Sequence, residues 1–79
     1  MSIGVWFVVL PGVLSLDLSG PAETLKLAGD AFHLHFIGPD PQVSTSIGLN
    51  FSGIEPLPES FPAGSLLVLP GVCDSNRYF

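Results

Sequence analysis

The residues best suited to chemistry are one carboxylate and the backbone amides of a turn. Asp17 follows an apolar segment that stops at Pro11-Gly12, and a second apolar segment stops at Pro70-Gly71. Ligands of open α/β sheets bind beyond the carboxyl ends of the strands. If the two segments are neighbouring strands, the Asp17 carboxylate and the amides of Gly71 and Val72 face one crevice, which suits acyl or thiol chemistry. The simpler alternative is that Asp17 caps a helix and Gly71 makes a turn.

Two histidines, His33 and His35, alternate with apolar residues and would lie on one face of a strand, within reach of a shared metal ion. No further Cys, His or carboxylate lies at a matching spacing, and zinc sites need three or four protein ligands. We therefore predict no metal site and no cofactor, and interpret the pair as partly solvated residues of an edge strand.

The one cysteine, Cys73, follows the Pro70-Gly71 turn and could be a reactive thiol. No cation or histidine is adjacent to it in the sequence, which favours an inert thiol. The glycines are scattered singly, so the chain contains no glycine-rich phosphate-binding loop.

The composition excludes several classes of protein. Charged residues make up 11% of the 79 residues and the formal net charge is −5, with Lys26 and Arg77 the only permanent cations. Binding to phosphates needs clustered Lys and Arg, so we expect no direct contact with nucleic acid. The apolar content of 47% argues against disorder, and a single cysteine excludes a disulfide-stapled fold. So few charges indicate surface that something else covers.

The apolar start of the chain does not have the features of a signal peptide or a membrane span. No Lys or Arg precedes Lys26, whereas a signal peptide begins with a basic region. The apolar run over residues 3–16 is shorter than the ~20 residues that span a bilayer, and Pro11-Gly12 interrupts it. We expect a buried strand, no membrane contact and a cytoplasmic location.

Three segments predict the strands of a parallel sheet. Residues 3–10 and 65–69 are strongly apolar, a pattern typical of strands buried on both faces. Residues 31–38 alternate between the two faces, which predicts a strand near the sheet edge.

A helix of about two turns is predicted between the first two strands. Residues 17–21 offer small polar capping residues, then a proline near the first helical position. Glu23 would lie in the first turn and Gly29 at the C-terminal end. The buried face would contain Pro21, Leu25 and Ala28.

The order strand, helix, strand, hairpin, strand predicts an open, mostly parallel α/β sheet with flanking helices. The hairpin is formed by residues 43–46 and 49–52, and three prolines in residues 53–64 predict an extended loop. One helix cannot cover both faces of such a sheet, and a compact domain of this kind needs roughly twice this length. We expect the remainder to come from further sequence, a second chain or self-association.

Five short motifs follow one another along the chain. They are Val9-Leu10-Pro11-Gly12, Leu16-Asp17-Leu18-Ser19-Gly20-Pro21-Ala22-Glu23, Ile37-Gly38-Pro39-Asp40, Thr45-Ser46-Ile47-Gly48-Leu49 and Leu67-Val68-Leu69-Pro70-Gly71. In this order and spacing they resemble the N-terminal half of the ThiJ/PfpI superfamily, of class I glutamine amidotransferase-like fold. The most similar branch is the sensor domain of GlxA-type AraC-family transcription regulators, with bacterial isocyanide hydratases nearby. The resemblance runs from about Ile3 to Val72, and Asp-Leu-x-Gly-Pro is its most specific part.

The resemblance implies a flavodoxin-like sandwich, of which residues 1–79 are the N-terminal portion. The C-terminal half and any DNA-binding domain are absent from this sequence. The nucleophilic cysteine of the family would lie on a strand-to-helix turn beyond residue 79, so Cys73 does not take its role.

By the same resemblance, Asp17 is a candidate acid/base partner of that cysteine, and the amides of Gly71 and Val72 take the place of the oxyanion donors. Many members carry Pro-Gly-Gly where this chain has Pro-Gly-Val, so a valine side chain narrows the crevice. The residues expected to line the binding pocket are Pro11, Gly12, Asp17, Gly20, Gly71 and Val72.

Two functions follow from the resemblance. The first is sensing of a small-molecule effector and dimerisation within an AraC-family regulator, by a segment that is itself non-catalytic and does not touch DNA. The alternative is the N-terminal half of a cysteine-dependent enzyme such as an isocyanide-hydratase-like lyase. Without the nucleophile, this polypeptide alone is not expected to be an active enzyme. The expected partner is a second copy or the missing C-terminal half, and truncation of a longer chain is compatible with either function.

Overall fold

The computed structural model describes residues 2–73, which form one α-helix and five strands. In chain order the elements are β1 (Ile3–Val8), α1 (Ser15–Lys26), a 3-10 turn (Gly29–Ala31), β2 (Phe32–Ile37), β3 (Gln42–Ser44), β4 (Asn50–Ser52) and β5 (Leu66–Val68).

A parallel sheet of three strands forms the centre of the fold. Its order is β2-β1-β5, and β1 pairs in parallel with both neighbours. The register places Val5 opposite Leu34 on one side and opposite Leu66 on the other. The predicted α/β class with a parallel sheet is confirmed, and β2 lies at an edge of that sheet, as its alternating pattern predicts.

The second sheet is the predicted hairpin. β3 and β4 pair antiparallel, with Val43 opposite Phe51. The segment that follows the hairpin is mostly exposed, as its prolines predict, but it begins with the buried Ile54. Glu55 then forms a parallel bridge with Ile37. This bridge holds the hairpin against the outer edge of β2.

The hydrophobic core lies on one face of β1. Val5, Phe7 and Val9 alternate along the strand, and each is at most 1% exposed. They pack with Leu18 of α1 and Val43 of β3. Further apolar residues that pack against this cluster are Ala22, Leu25, Phe32, Leu34, Phe36, Phe51 and Val68.

The prediction that two strands are buried on both faces is wrong. In β5, Leu66 is 49% exposed and Leu67 is 54% exposed, because β5 is an edge strand. In β1, Trp6 and Val8 on the face opposite the core are only half-buried. The core elements, α1 and the hairpin, pack on the face of Val5 and Phe7. Within residues 2–73, the opposite face is covered by no helix or strand, only in part by Phe61 of the loop before β5.

The predicted helix is correct in place and wrong in its start. α1 begins at Ser15 and runs for 12 residues, more than three turns, so Pro21 lies inside it and Glu23 lies beyond the first turn. The core-facing residues are consequently Leu18, Ala22 and Leu25, whereas Pro21 and Ala28 are exposed. The helix ends as predicted just before Gly29. Within residues 2–73, no helix has both the length and the apolar character needed to cross a bilayer.

Candidate functional site

Three loops meet at the carboxyl ends of β1 and β5. Residues 12–14, which link β1 to α1, are hydrogen-bonded on both sides. On one side the Leu14 amide donates to the Gly71 carbonyl at 2.8 Å, and the Cys73 amide donates to the Gly12 carbonyl at 2.9 Å. On the other side the Gly12 amide donates to the Ser44 carbonyl at 2.8 Å. The carboxyl ends of β1 and β5 are therefore neighbours, as the sequence predicts.

Asp17 and Gly71 are in direct proximity within this region. A Cβ atom built on Gly71 would lie 2.8 Å from Oδ2 of Asp17 and 3.1 Å from Cδ1 of Leu14. Any side chain at residue 71 would therefore displace the carboxylate. The residues Asp17, Gly71, Val72 and Gly12 of the predicted pocket are brought together here, and we call this place the switch-point crevice.

Asp17 does not cap the helix, contrary to the simpler alternative. The N-cap residue is Leu14, which makes no side-chain capping hydrogen bond, and Asp17 is the third residue of α1. Its carboxylate is exposed in the first turn, where the unpaired amides of the helix N-terminus stabilise negative charge. The carboxylate is thus available at the crevice.

The amides that were expected to face the crevice belong to Gly71 and Val72. Neither donates to a backbone carbonyl within residues 2–73, whereas the next amide, that of Cys73, is taken by Gly12. Val72 bridges antiparallel to Val13, and its side chain is 45% exposed. Within residues 2–73, the crevice therefore combines an exposed carboxylate with two backbone amides that have no backbone acceptor.

Two residues of the predicted pocket do not take part in these contacts. Pro11 is exposed in the turn after β1. Gly20 lies inside α1, three residues beyond Asp17, and a Cβ there would meet only Leu16 of the same helix, at 4.0 Å. This contact does not connect Gly20 with the strand ends, so its place in the pocket stays a prediction.

Cys73 is half-buried in the extended pairing with Gly12. Within the described chain it follows the isolated bridge at Val72 and is the last residue that the structure describes. That Cys73 is not the nucleophile of the family stays a prediction.

Thr45 also lies in this region, although it is not one of the predicted pocket residues. It is 5% exposed, and its buried Oγ1 atom has no hydrogen-bond partner within residues 2–73. The flanking residues connect to the crevice loop: Ser44 accepts from Gly12, and the Ser46 amide donates to the Val13 carbonyl at 2.9 Å. Only its place in the Thr-Ser-Ile-Gly-Leu motif could have drawn attention to it.

An aromatic cluster lies on the opposite face of the sheet. The rings of Trp6 and His35 stack with centroids 3.8 Å apart and planes 11° from parallel. Phe61 meets Trp6 edge-on at 5.2 Å, and His33 lies 4.7 Å from His35. Burial, together with the nearby His33, lowers the pKa of His35 below its usual 6.5.

An open cavity of about 620 Å³ lies between α1, β2 and β4, away from the crevice. Its rim carries Glu23 and Lys26. Its floor is apolar and includes Val9, Leu18, Ala22, Phe36, Phe51 and Ile54. Since several of these residues belong to the core, the cavity is a gap at the core's edge rather than part of the predicted pocket.

Within residues 2–73, no three His, Cys, Asp or Glu side chains are grouped so that they could hold a metal ion together. No protein-family model matches this chain, and no curated protein is significantly similar to it in sequence. The resemblance to the ThiJ/PfpI superfamily therefore stays a proposal.

Proposed function

We propose that the chain is the N-terminal portion of a ThiJ/PfpI-like sensing domain of an AraC-family transcription regulator. Its role is to bind a small-molecule effector at the switch-point crevice and to take part in dimerisation. The observation that carries this proposal is the Asp17 carboxylate in direct proximity to Gly71.

The strand order supports a ligand site at this place. When only the parallel strands are counted, the order β2-β1-β5 is second-first-third, which is the beginning of the flavodoxin-like order 2-1-3-4-5. In such sheets the order reverses beside the first strand, and ligands bind outside the carboxyl ends of the strands there. Asp17 and Gly71 lie at these ends of β1 and β5.

The chemistry of the crevice defines the effector. Asp17 accepts hydrogen bonds or pairs with a cation, while the amides of Gly71 and Val72 donate to an oxygen. The matching ligand is a small polar molecule with a donor or cationic group on one side and a carbonyl or carboxylate oxygen on the other. The exposed apolar residues of β5, Leu66 and Leu67, leave room for a further strand or a partner.

The same geometry also favours the enzyme alternative. The Asp17 carboxylate is exposed, and the nearby amides have no backbone acceptor within residues 2–73. Such a carboxylate could assist a cysteine, and such amides could stabilise an oxyanion. In that case a cysteine from sequence beyond residue 79 would enter the crevice, and Asp17 would be its acid/base partner. In the regulator, a DNA-binding region would follow in the sequence beyond residue 79. In the enzyme, the strand-to-helix turn with the catalytic cysteine would complete the protein.

The test is a thermal-shift screen of the natural polypeptide that contains residues 1–79. The probes are a panel of small amides, amines and carboxylic acids. We expect at least one compound to raise the Tm of the wild type and to lose this effect in Asp17→Asn. The control is Asp30→Asn, which removes an exposed carboxylate at the opposite, amino end of β2. Equal shifts in all three proteins would contradict the proposed site.

A further inference from the structure

A cluster of rings on the face opposite the core takes no part in the crevice. Trp6 of β1 and His35 of β2 are register partners, and their rings stack at 3.8 Å. His33 precedes His35 by two residues on the same face, since the residues that alternate with them, Phe32, Leu34 and Phe36, pack toward the core.

The two imidazoles lean toward each other. Side chains two residues apart leave a strand about 6.6 Å apart, whereas the ring centroids of His33 and His35 are 4.7 Å apart. Two imidazoles that bind one ion through nitrogens at about 2.0–2.1 Å have centroids about 4.5–5.5 Å apart. The observed separation falls within that range.

The stacking on Trp6 orients one of the two rings in advance. It fixes the plane of His35 and leaves the ring nitrogens, at the ring edge, outside the stacked surface. Within residues 2–73, no side-chain hydrogen bond engages either imidazole.

The spacing of the two histidines alone predicts no metal site, but on the ring geometry we propose that His33 and His35 form a two-imidazole site for a late first-row divalent metal ion, with Cu²⁺ as the best-fitting ion. Two protein ligands are too few for a tetrahedral zinc site. Cu²⁺ binds nitrogen ligands more tightly than other divalent ions of its row and takes them in a tetragonal arrangement. Water fills the remaining positions. The site uses no residue of the switch-point crevice.

The test uses Trp6, the only tryptophan of the chain, as a reporter. CuCl₂ is titrated into the 79-residue chain at pH 7 in a non-coordinating buffer, and Trp6 fluorescence is measured. Because a paramagnetic ion on His35 lies next to the stacked indole, we expect quenching that saturates at one ion per chain and is reversed by EDTA. Electron paramagnetic resonance should show coupling to two nitrogens.

The variants His33→Gln and His35→Gln should each weaken Cu²⁺ binding about tenfold or more, since a chelating pair becomes a single ligand. His33→Gln is the decisive variant, because His33 is exposed and far-UV circular dichroism can show that the fold is kept. Asp30→Asn serves as the control and should leave the affinity unchanged. The proposal is overturned if quenching does not saturate, if the spectrum shows fewer than two nitrogens, or if folded His33→Gln binds as tightly as the wild type.

Discussion

The Oδ2 atom of Asp17 lies 2.8 Å from the position that a Cβ atom would occupy on Gly71. Residues 54 positions apart in the sequence are thus brought together by the pairing of β1 with β5 and by the hydrogen bond between the Leu14 amide and the Gly71 carbonyl. This proximity places the Asp17 carboxylate beside the backbone of Gly71 at the carboxyl ends of β1 and β5.

Gly71→Ala should move the Asp17 carboxylate without unfolding the protein. The atoms that a methyl group would meet are the ends of the Asp17 and Leu14 side chains, which can rotate away. We expect a loss of no more than about 1 kcal/mol in the free energy of unfolding, with effector binding lost. Urea unfolding and the thermal-shift screen measure the two effects. Unchanged effector binding in this variant would contradict the proposed role of the crevice.

Gly38→Ala should destabilise the protein more than Gly71→Ala, because the new methyl group would meet a backbone atom rather than the end of a side chain. A Cβ on Gly38 would overlap the carbonyl oxygen of Val9, at the end of the central strand. The strand cannot move without disturbing the core, so we expect a loss of about 1–3 kcal/mol in the free energy of unfolding. Equal stability of the Gly38 and Gly71 variants in urea unfolding would contradict this difference.

Thr45→Val should stabilise the protein. The Thr45 hydroxyl is buried without a hydrogen-bond partner, and valine has nearly the same shape. Removal of an unsatisfied buried hydroxyl should raise the free energy of unfolding by about 1 kcal/mol. The control is Ser46→Ala, whose hydroxyl is on an exposed residue and whose replacement should be nearly neutral. A destabilised Thr45→Val protein would indicate that the hydroxyl has a partner.

Leu67→Lys should reduce association of the 79-residue chain. Leu67 is 54% exposed on the edge strand β5, where open apolar edges promote pairing with another strand. We expect the wild type to be oligomeric by light scattering and Leu67→Lys to shift toward the monomer. Leu27→Lys is the matched control, since Leu27 is 86% exposed but follows α1. A wild type that is a stable monomer would contradict this prediction.

Much of the fold is predictable from local patterns. The apolar run of β1 and the alternation of β2 identify strands, and the two Pro-Gly sequences place Asp17 and Gly71 at the same edge of the sheet. The predicted start of α1 is too late, because proline in general favours the first turn of a helix. In this protein, Pro21 lies inside the helix.

The remaining features depend on contacts between distant residues. The burial of Thr45 follows from packing of the hairpin against the loop at Gly12, which no local pattern encodes. The stacking of Trp6 on His35 requires the register of β1 and β2. The exposure of β5 follows from the lack of a layer over it within residues 2–73, whereas its composition is that of a central strand.

The proposed regulator function is tested by the intact mass of the natural polypeptide that carries these residues, measured first denatured and then under native conditions. We predict a chain longer than the 8.3 kDa of this sequence, or a second polypeptide bound to it. The sequence of that additional part should contain two helix-turn-helix patterns in a basic C-terminal region. A longer chain that ends after the domain with the strand-to-helix turn and its cysteine would instead support the enzyme alternative. A single 8.3 kDa species that is monomeric under native conditions would contradict the account.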